Sequence, residues 1–154
     1  MKRLVIITFS LVNLFPPLAY AESQSDFLGV DDFIKQNKYL ELPTFEWQAV
    51  VFVQCGALFK SFALVETSED IKSQFNFISQ SFIGKAAWAY AGYTNESPSG
   101  NELAFIQAWI EDRNNAFTKS YFFGIQQKIS KGEDHLESYV DEVTACTKFN
   151  GEYP

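Results

Sequence analysis

One stretch, TFEWQAVVFVQCGALFKSFALV at residues 44–65, limits what this chain can fold into more than any other. Phe52, Cys55, Phe59 and Phe62 follow one another at spacings of three and four, the period of one helix face. Trp47, Val51, Leu58 and Val65 make a second such stripe, and Val50, Val53 and Leu64 fill much of what is left. A helix that is apolar nearly all round is buried in a protein or in a membrane. A membrane span needs about 20 mostly apolar residues, and here Glu46, Gln48, Gln54 and Lys60 break the run. The stretch is therefore predicted to be the central helix of a protein core.

Thr44, after Pro43, is placed to cap its start, and Glu46 lies in the first turn where the helix dipole favours an acid. Ala49, Gly56 and Ala63 recur every seven residues and leave a shallow strip for a neighbouring helix. Gly56 costs about 1 kcal/mol of helix propensity relative to Ala. Close packing is the expected compensation.

The amino terminus reads as a cleaved secretory leader over residues 1–21. Lys2 and Arg3 precede an apolar run at residues 4–15, Pro16 and Pro17 close it, and Ala19-Tyr20-Ala21 has the small-x-small form of a cleavage site. No cysteine follows the apolar run closely, so a lipid anchor there is not indicated. Removing these residues leaves 133 of 154, one domain over residues 22–154. Two cations and no acid leave with the leader, so the formal charge moves from −7 to −9. Such acidity disfavours binding to nucleic-acid phosphates or to anionic lipid. It suits an exported protein, in the periplasm or outside the cell, or one whose partner is basic.

Cys55 and Cys146 are the two cysteines, and in an exported chain they are expected to form a disulfide. A reactive thiol has neither a CxxC spacing nor a basic cluster to support it.

The remaining helices are read from caps and period. Residues 22–25 should be a polar terminus, and Asp31-Asp32 precede a short helix with Phe33, Ile34 and Leu40 inward. Thr67 to Asp70 reads as a capping box opening a second long helix, with Ile71, Phe75, Ile78, Phe82, Ala86 and Ala89 at helical period. The small residues of its last turns, GKAAWAYAG, suit the Ala49–Gly56–Ala63 strip. YTNESPSG is a loop, and the Asn95-Glu96-Ser97 sequon inside it, followed by Pro98, is read as a chance match.

Ser99 and Glu102 form a capping box for a third helix whose stripe is Leu103, Ile106, Ile110, Arg113, Phe117 and Tyr121. It either reaches Lys131, with Gly132 as its stop, or bends near Asn114-Asn115 or Gly124. Asp134 offers a further cap, and Leu136, Tyr139, Val140, Val143 and Cys146 line a last helix ending before Asn150-Gly151. No strand-like alternation of useful length and no internal repeat occurs. The fold expected is all-α: a small up-and-down bundle of about four principal helices, its first and last stapled by the disulfide.

Little in the sequence supplies chemistry. His135 is the one histidine and stands beside Glu133, Asp134 and Glu137, where a solvated side chain is expected, because a metal site wants several ligands at set spacings. Haem lacks a CxxCH and a second axial ligand. The acids Glu133, Asp134, Glu137, Asp141 and Glu142 lack calcium-loop spacing and read as a solvated face or a docking face for a basic partner.

Serine elbows, phosphate-cradling loops and paired-histidine helices do not occur. No catalytic, cofactor or metal residue is assigned. Arg113 is the polar residue of interest, because on its stripe it must point inward or snorkel. It is read as the anchor of an internal ion pair or of an anionic ligand. Tyr121-Phe122-Phe123 cannot all face inward, so one should lie in an apolar patch.

These features point to a non-enzymatic interaction protein, such as a chaperone, an inhibitor or an immunity-type protein, with a protein partner. The alternative is a carrier of an apolar or amphiphilic small molecule held between phenylalanine-lined helices, with Arg113 near the mouth. An enzyme with an acid-based site would require two inward carboxylates facing each other.

Overall fold

A computed structural model describes residues 27–37, 45–92 and 99–153. The leader, the proposed Thr44 cap, the 22–25 terminus and the sequon lie outside the described residues. Five helices follow in order: α1 Val30–Asn37, α2 Phe45–Val65, α3 Glu69–Tyr90, α4 Gly100–Ser130 and α5 Val140–Glu152, with one turn of 3₁₀ helix, Glu137–Tyr139, before α5. No strand occurs among the described residues, and the chain is an all-α bundle.

α2 is its axis. Fourteen of its 21 residues are buried, Gln48, Gln54 and Ser61 among them. By length and composition it is apolar enough to cross a membrane, but here its faces are covered by other helices. Its broadest contacts are with α3 and then α4, whereas α3 and α4 touch each other little. Both polar groups with described partners bond to backbone. Gln54 Nε2 donates to the Leu28 carbonyl at 3.2 Å. Ser61 Oγ lies 2.8 Å from the Ala57 carbonyl and 3.0 Å from that of Thr118, its one proton shared between them.

Aromatic rings set the α2–α3 register. Phe52 meets Phe82, Phe59 lies between Phe82 and Phe75, and Phe62 reaches Phe75, so the two helices run antiparallel. Gly56 falls in the middle of this seam. A Cβ there would lie 2.9 Å from Ile83 Cδ1 and 3.2 Å from the Ser79 carbonyl oxygen. The expected close approach is therefore made, against Ser79 and Ile83. The same register brings Ala49 to the level of Ala86 and Ala89, all three fully buried.

The disulfide joins Cys55, at the middle of α2, to Cys146 on α5, with Cα atoms 5.7 Å apart and both residues without solvent exposure. α1 rests on α5 and α2. Its start is tied to α4, because the Val30 N–H donates to the Tyr121 hydroxyl at 3.1 Å and Phe27 sets its ring edge-on to Tyr121. Burial pushes the Tyr121 phenol well above its ordinary pKa.

Two local readings are revised, and one left between two alternatives is decided. α3 opens at Ser68, which makes no side-chain cap. The carboxylate of Glu66, leaving α2, accepts from the N–H groups of Thr67 and Ser68, both at 2.8 Å, so Glu66 ties the turn ahead of α3 in place of the Thr67–Asp70 box expected there. Those bonds hold Glu66 below the usual carboxylate range. α4 runs unbroken through Asn114, Asn115 and Gly124. At Gly124 the missing side chain leaves room for Tyr139, whose hydroxyl would lie 2.4 Å from a Cβ. α5 continues past Asn150-Gly151 to Glu152, since Gly lowers helix stability by only about 1 kcal/mol and here it falls within the last turn.

Elsewhere the signals hold. Ser99 and Glu102 form the reciprocal box, with Ser99 N–H donating to Glu102 Oε2 at 2.7 Å and Glu102 N–H to Ser99 Oγ at 3.4 Å. Gly132, at φ 73°, ends α4. Asp134 Oδ1 accepts from the N–H groups of Leu136 and Glu137 and starts the 3₁₀ turn.

Candidate interaction surface

Arg113 lies half-buried on α4, and its guanidinium carbon sits 4.0 Å from the centre of the Trp109 ring. The two are four residues apart, so one turn of α4 brings them face to face. Trp109 in turn packs on Tyr90, at the end of α3, with ring centres 4.4 Å apart, and Tyr90 lies 6.3 Å from Phe105. Phe105, one turn before Trp109, is 61 % exposed. Four side chains thus form a row from solvent to cation: Phe105, Tyr90, Trp109, Arg113. The row is where α3 and α4 meet, the one place these helices touch through large side chains among the described ring contacts.

The row explains how Arg113 occupies a stripe position without a buried carboxylate. A guanidinium is weakly hydrated and flat, and it stacks on the electron-rich face of an indole. The ion pairs among the described residues are Lys35–Asp31, Lys72–Glu69, Lys128–Glu133 and Lys148–Glu152, all at the surface. Arg113 is in none of them. A contact with the ring through the guanidinium carbon uses no ion-pair partner, and a guanidinium can still donate two N–H bonds to one carboxylate.

The other polar candidates do not assemble with Arg113. His135 is half-buried and packs against Phe62, ring centres 6.1 Å apart, with its Nε2 buried and without a partner. It is not the solvated side chain its acidic neighbours suggest. Asp134 is committed to the cap and Glu133 to Lys128 at 2.8 Å, and the turn they hold lays His135 inward. Among the described residues no three of His, Cys, Asp and Glu stand close enough to hold a metal ion.

Of the five acids near α5, four are exposed and Glu142 is half-buried. It lies over Gly29, where a Cβ would come within 2.7 Å of its Oε1. Burial, then the nearby Asp141, Asp31 and Asp32, pushes its carboxyl up. Of Tyr121, Phe122 and Phe123, the first is buried, the second half-buried and the third exposed, as helical geometry requires.

Trp109, Tyr90 and Phe105 were not singled out from the sequence. The W-x-x-x-R spacing on α4 was the available signal, while the contribution of Tyr90 depends on how α3 docks. No protein-family model, curated protein or solved structure matches this chain.

Proposed function

We propose that this chain is an exported interaction protein of the chaperone, inhibitor or immunity type, and that the Phe105–Tyr90–Trp109–Arg113 row is its recognition surface. The observation that carries the reading is Arg113: held over the Trp109 ring at 4.0 Å, outside every ion pair of the described residues. Aromatic and Arg side chains dominate the binding energy of protein interfaces, and this row puts them side by side around an exposed Phe. The segment it fits is an apolar side chain next to a carboxylate or free carbonyl. The buried cysteine pair, of a kind that forms mainly in oxidising compartments, supports export.

The carrier reading draws less support. It needs rings that face an enclosed ligand, and the phenylalanines of α2 and α3 lie against one another instead.

The test compares pull-downs from the exported fraction using wild type, Arg113→Ala and Trp109→Ala, each verified by circular dichroism. A partner held by wild type and lost from both variants supports the reading. Partners retained equally by all three, or none on repetition, refute it.

A further inference from the structure

The outward face of α3 carries a second apolar feature, separate from the Arg113 row. Phe77 is 75 % exposed and Trp88 65 % exposed, more than any other large apolar side chain described. Eleven residues separate them, close to three full turns of 3.6 residues, so they stand on one line along the helix. Ser81 and Gly84 lie between them on that line, both exposed. A Cβ at Gly84 would meet nothing within 4 Å. Nothing among the described residues therefore accounts for a mid-helix glycine that lowers helix stability by about 1 kcal/mol.

Residues 73–84, SQFNFISQSFIG, contain no charged side chain. The next cation, Lys85, turns inward over the Phe52 ring at 5.9 Å. In a chain of net charge −7 this gives α3 a band with no charge of its own to repel another copy.

We infer that this face binds a second copy of the chain, α3 packed antiparallel on α3 about a two-fold axis midway between Phe82 and Ile83. That axis sets Phe77 of each copy opposite Trp88 of the other and Ser81 opposite Gly84. Two aromatic pairs then flank a gap closed by small residues, and the missing Gly84 side chain allows close approach of the helix backbones. A two-fold interface must be self-complementary, and this pairing is. The rings are 75 % and 65 % exposed in the monomer, so burying all four removes about 400–700 Å², at 150–250 Å² per whole ring. With Ser81, Gly84 and the flanking glutamines Gln74 and Gln80 the total approaches roughly 1,000 Å², the low end for a specific interface.

Register makes the inference testable by charge exchange. The purified, disulfide-bonded protein is studied by sedimentation velocity as wild type, Phe77→Lys, Trp88→Glu and an equal mixture of the two variants. Both positions are exposed, and circular dichroism checks that each variant folds. Wild type should show a concentration-dependent monomer–dimer equilibrium, weakened at least about thirtyfold in each variant, as loss of a central aromatic anchor implies.

The mixture should recover dimer. A mixed pair retains one Phe77–Trp88 contact and replaces the other by a Lys–Glu pair. A wild type that stays monomeric at about 1 mM, weaker than specific complexes run, overturns the inference. So does a dimer indifferent to both substitutions, or variants whose mixture stays monomeric. Capture of an unrelated protein by a monomeric wild type, lost in Trp88→Glu, would assign the face to that protein and overturn it too. None of these outcomes bears on the Arg113 comparison, because Arg113 and Trp109 are unchanged throughout.

Discussion

Replacing Gly56 by Ala sets two effects of similar size against each other. Ala in place of Gly in a helix interior gains about 1 kcal/mol of propensity. The new methyl, however, would lie 2.9 Å from Ile83 Cδ1, 3.1 Å from Ile83 Cγ1 and 3.2 Å from the Ser79 carbonyl oxygen. Comfortable carbon contacts are about 3.5–4.0 Å. The Ile83 methyl is the free end of a side chain and can swing aside, but the Ser79 carbonyl belongs to the backbone of α3. Relief must therefore come from moving α3, and the Phe52–Phe82 and Phe59–Phe75 contacts move with it.

Overpacking of this kind costs about 1–3 kcal/mol, so the net effect of Gly56→Ala is a loss of about 0–2 kcal/mol. Urea unfolding followed by far-ultraviolet circular dichroism measures it. A second background isolates the cause: with Ile83→Ala the crowding side chain is gone, and Gly56→Ala should then cost about 1 kcal/mol less than in wild type. A Gly56→Ala protein about 1 kcal/mol more stable than wild type, the propensity gain undiminished, would refute the close-packing account of this glycine. A cost unchanged by Ile83→Ala would place the clash on the Ser79 carbonyl alone.

Two further outcomes follow from the same contacts. The Cys55–Cys146 bond closes a loop of 91 residues, which in the chain-entropy treatment stabilises by about 4–5 kcal/mol. The Cys55→Ala, Cys146→Ala double variant should melt about 10–20 °C lower by calorimetry, and a melting point within experimental error of wild type would remove the staple from the argument. Glu142→Gln tests the half-buried carboxylate. Because its folded pKa is raised, the carboxyl is protonated in both states at low pH and no penalty exists there. The penalty grows as pH rises through the ordinary glutamate range near about 4.3 and is complete above the folded pKa. The variant should therefore gain melting temperature over wild type at neutral pH, with the gain fading toward about pH 4. A difference that does not change with pH would show that the charge of Glu142 is not what matters.

The chain itself carried the features that act along one or two helical turns or by composition. The all-round apolarity of α2 dictated its central place, because no single-sided packing removes that much apolar surface from water. The Ser99–Glu102 box and the Gly132 stop are local hydrogen-bond and φ requirements, and both ends of α4 stand where they place them. Gly56 was legible as a close approach, but not the atoms it approaches.

Packing between distant segments decided the rest. The partner of Arg113 sits one turn away, yet the Trp109 ring is held in place by Tyr90 from another helix. His135 and Glu142 sit in acid-rich stretches that composition assigns to water, and their burial follows from where the 3₁₀ turn and α1 come to rest. Glu66 ties the turn between α2 and α3 because that turn is tight enough for its carboxylate to reach the N–H groups of Thr67 and Ser68. A side chain's period along its helix says which way it faces relative to its neighbours in sequence; what it meets there depends on the angle and depth at which other helices arrive, and no local pattern encodes those.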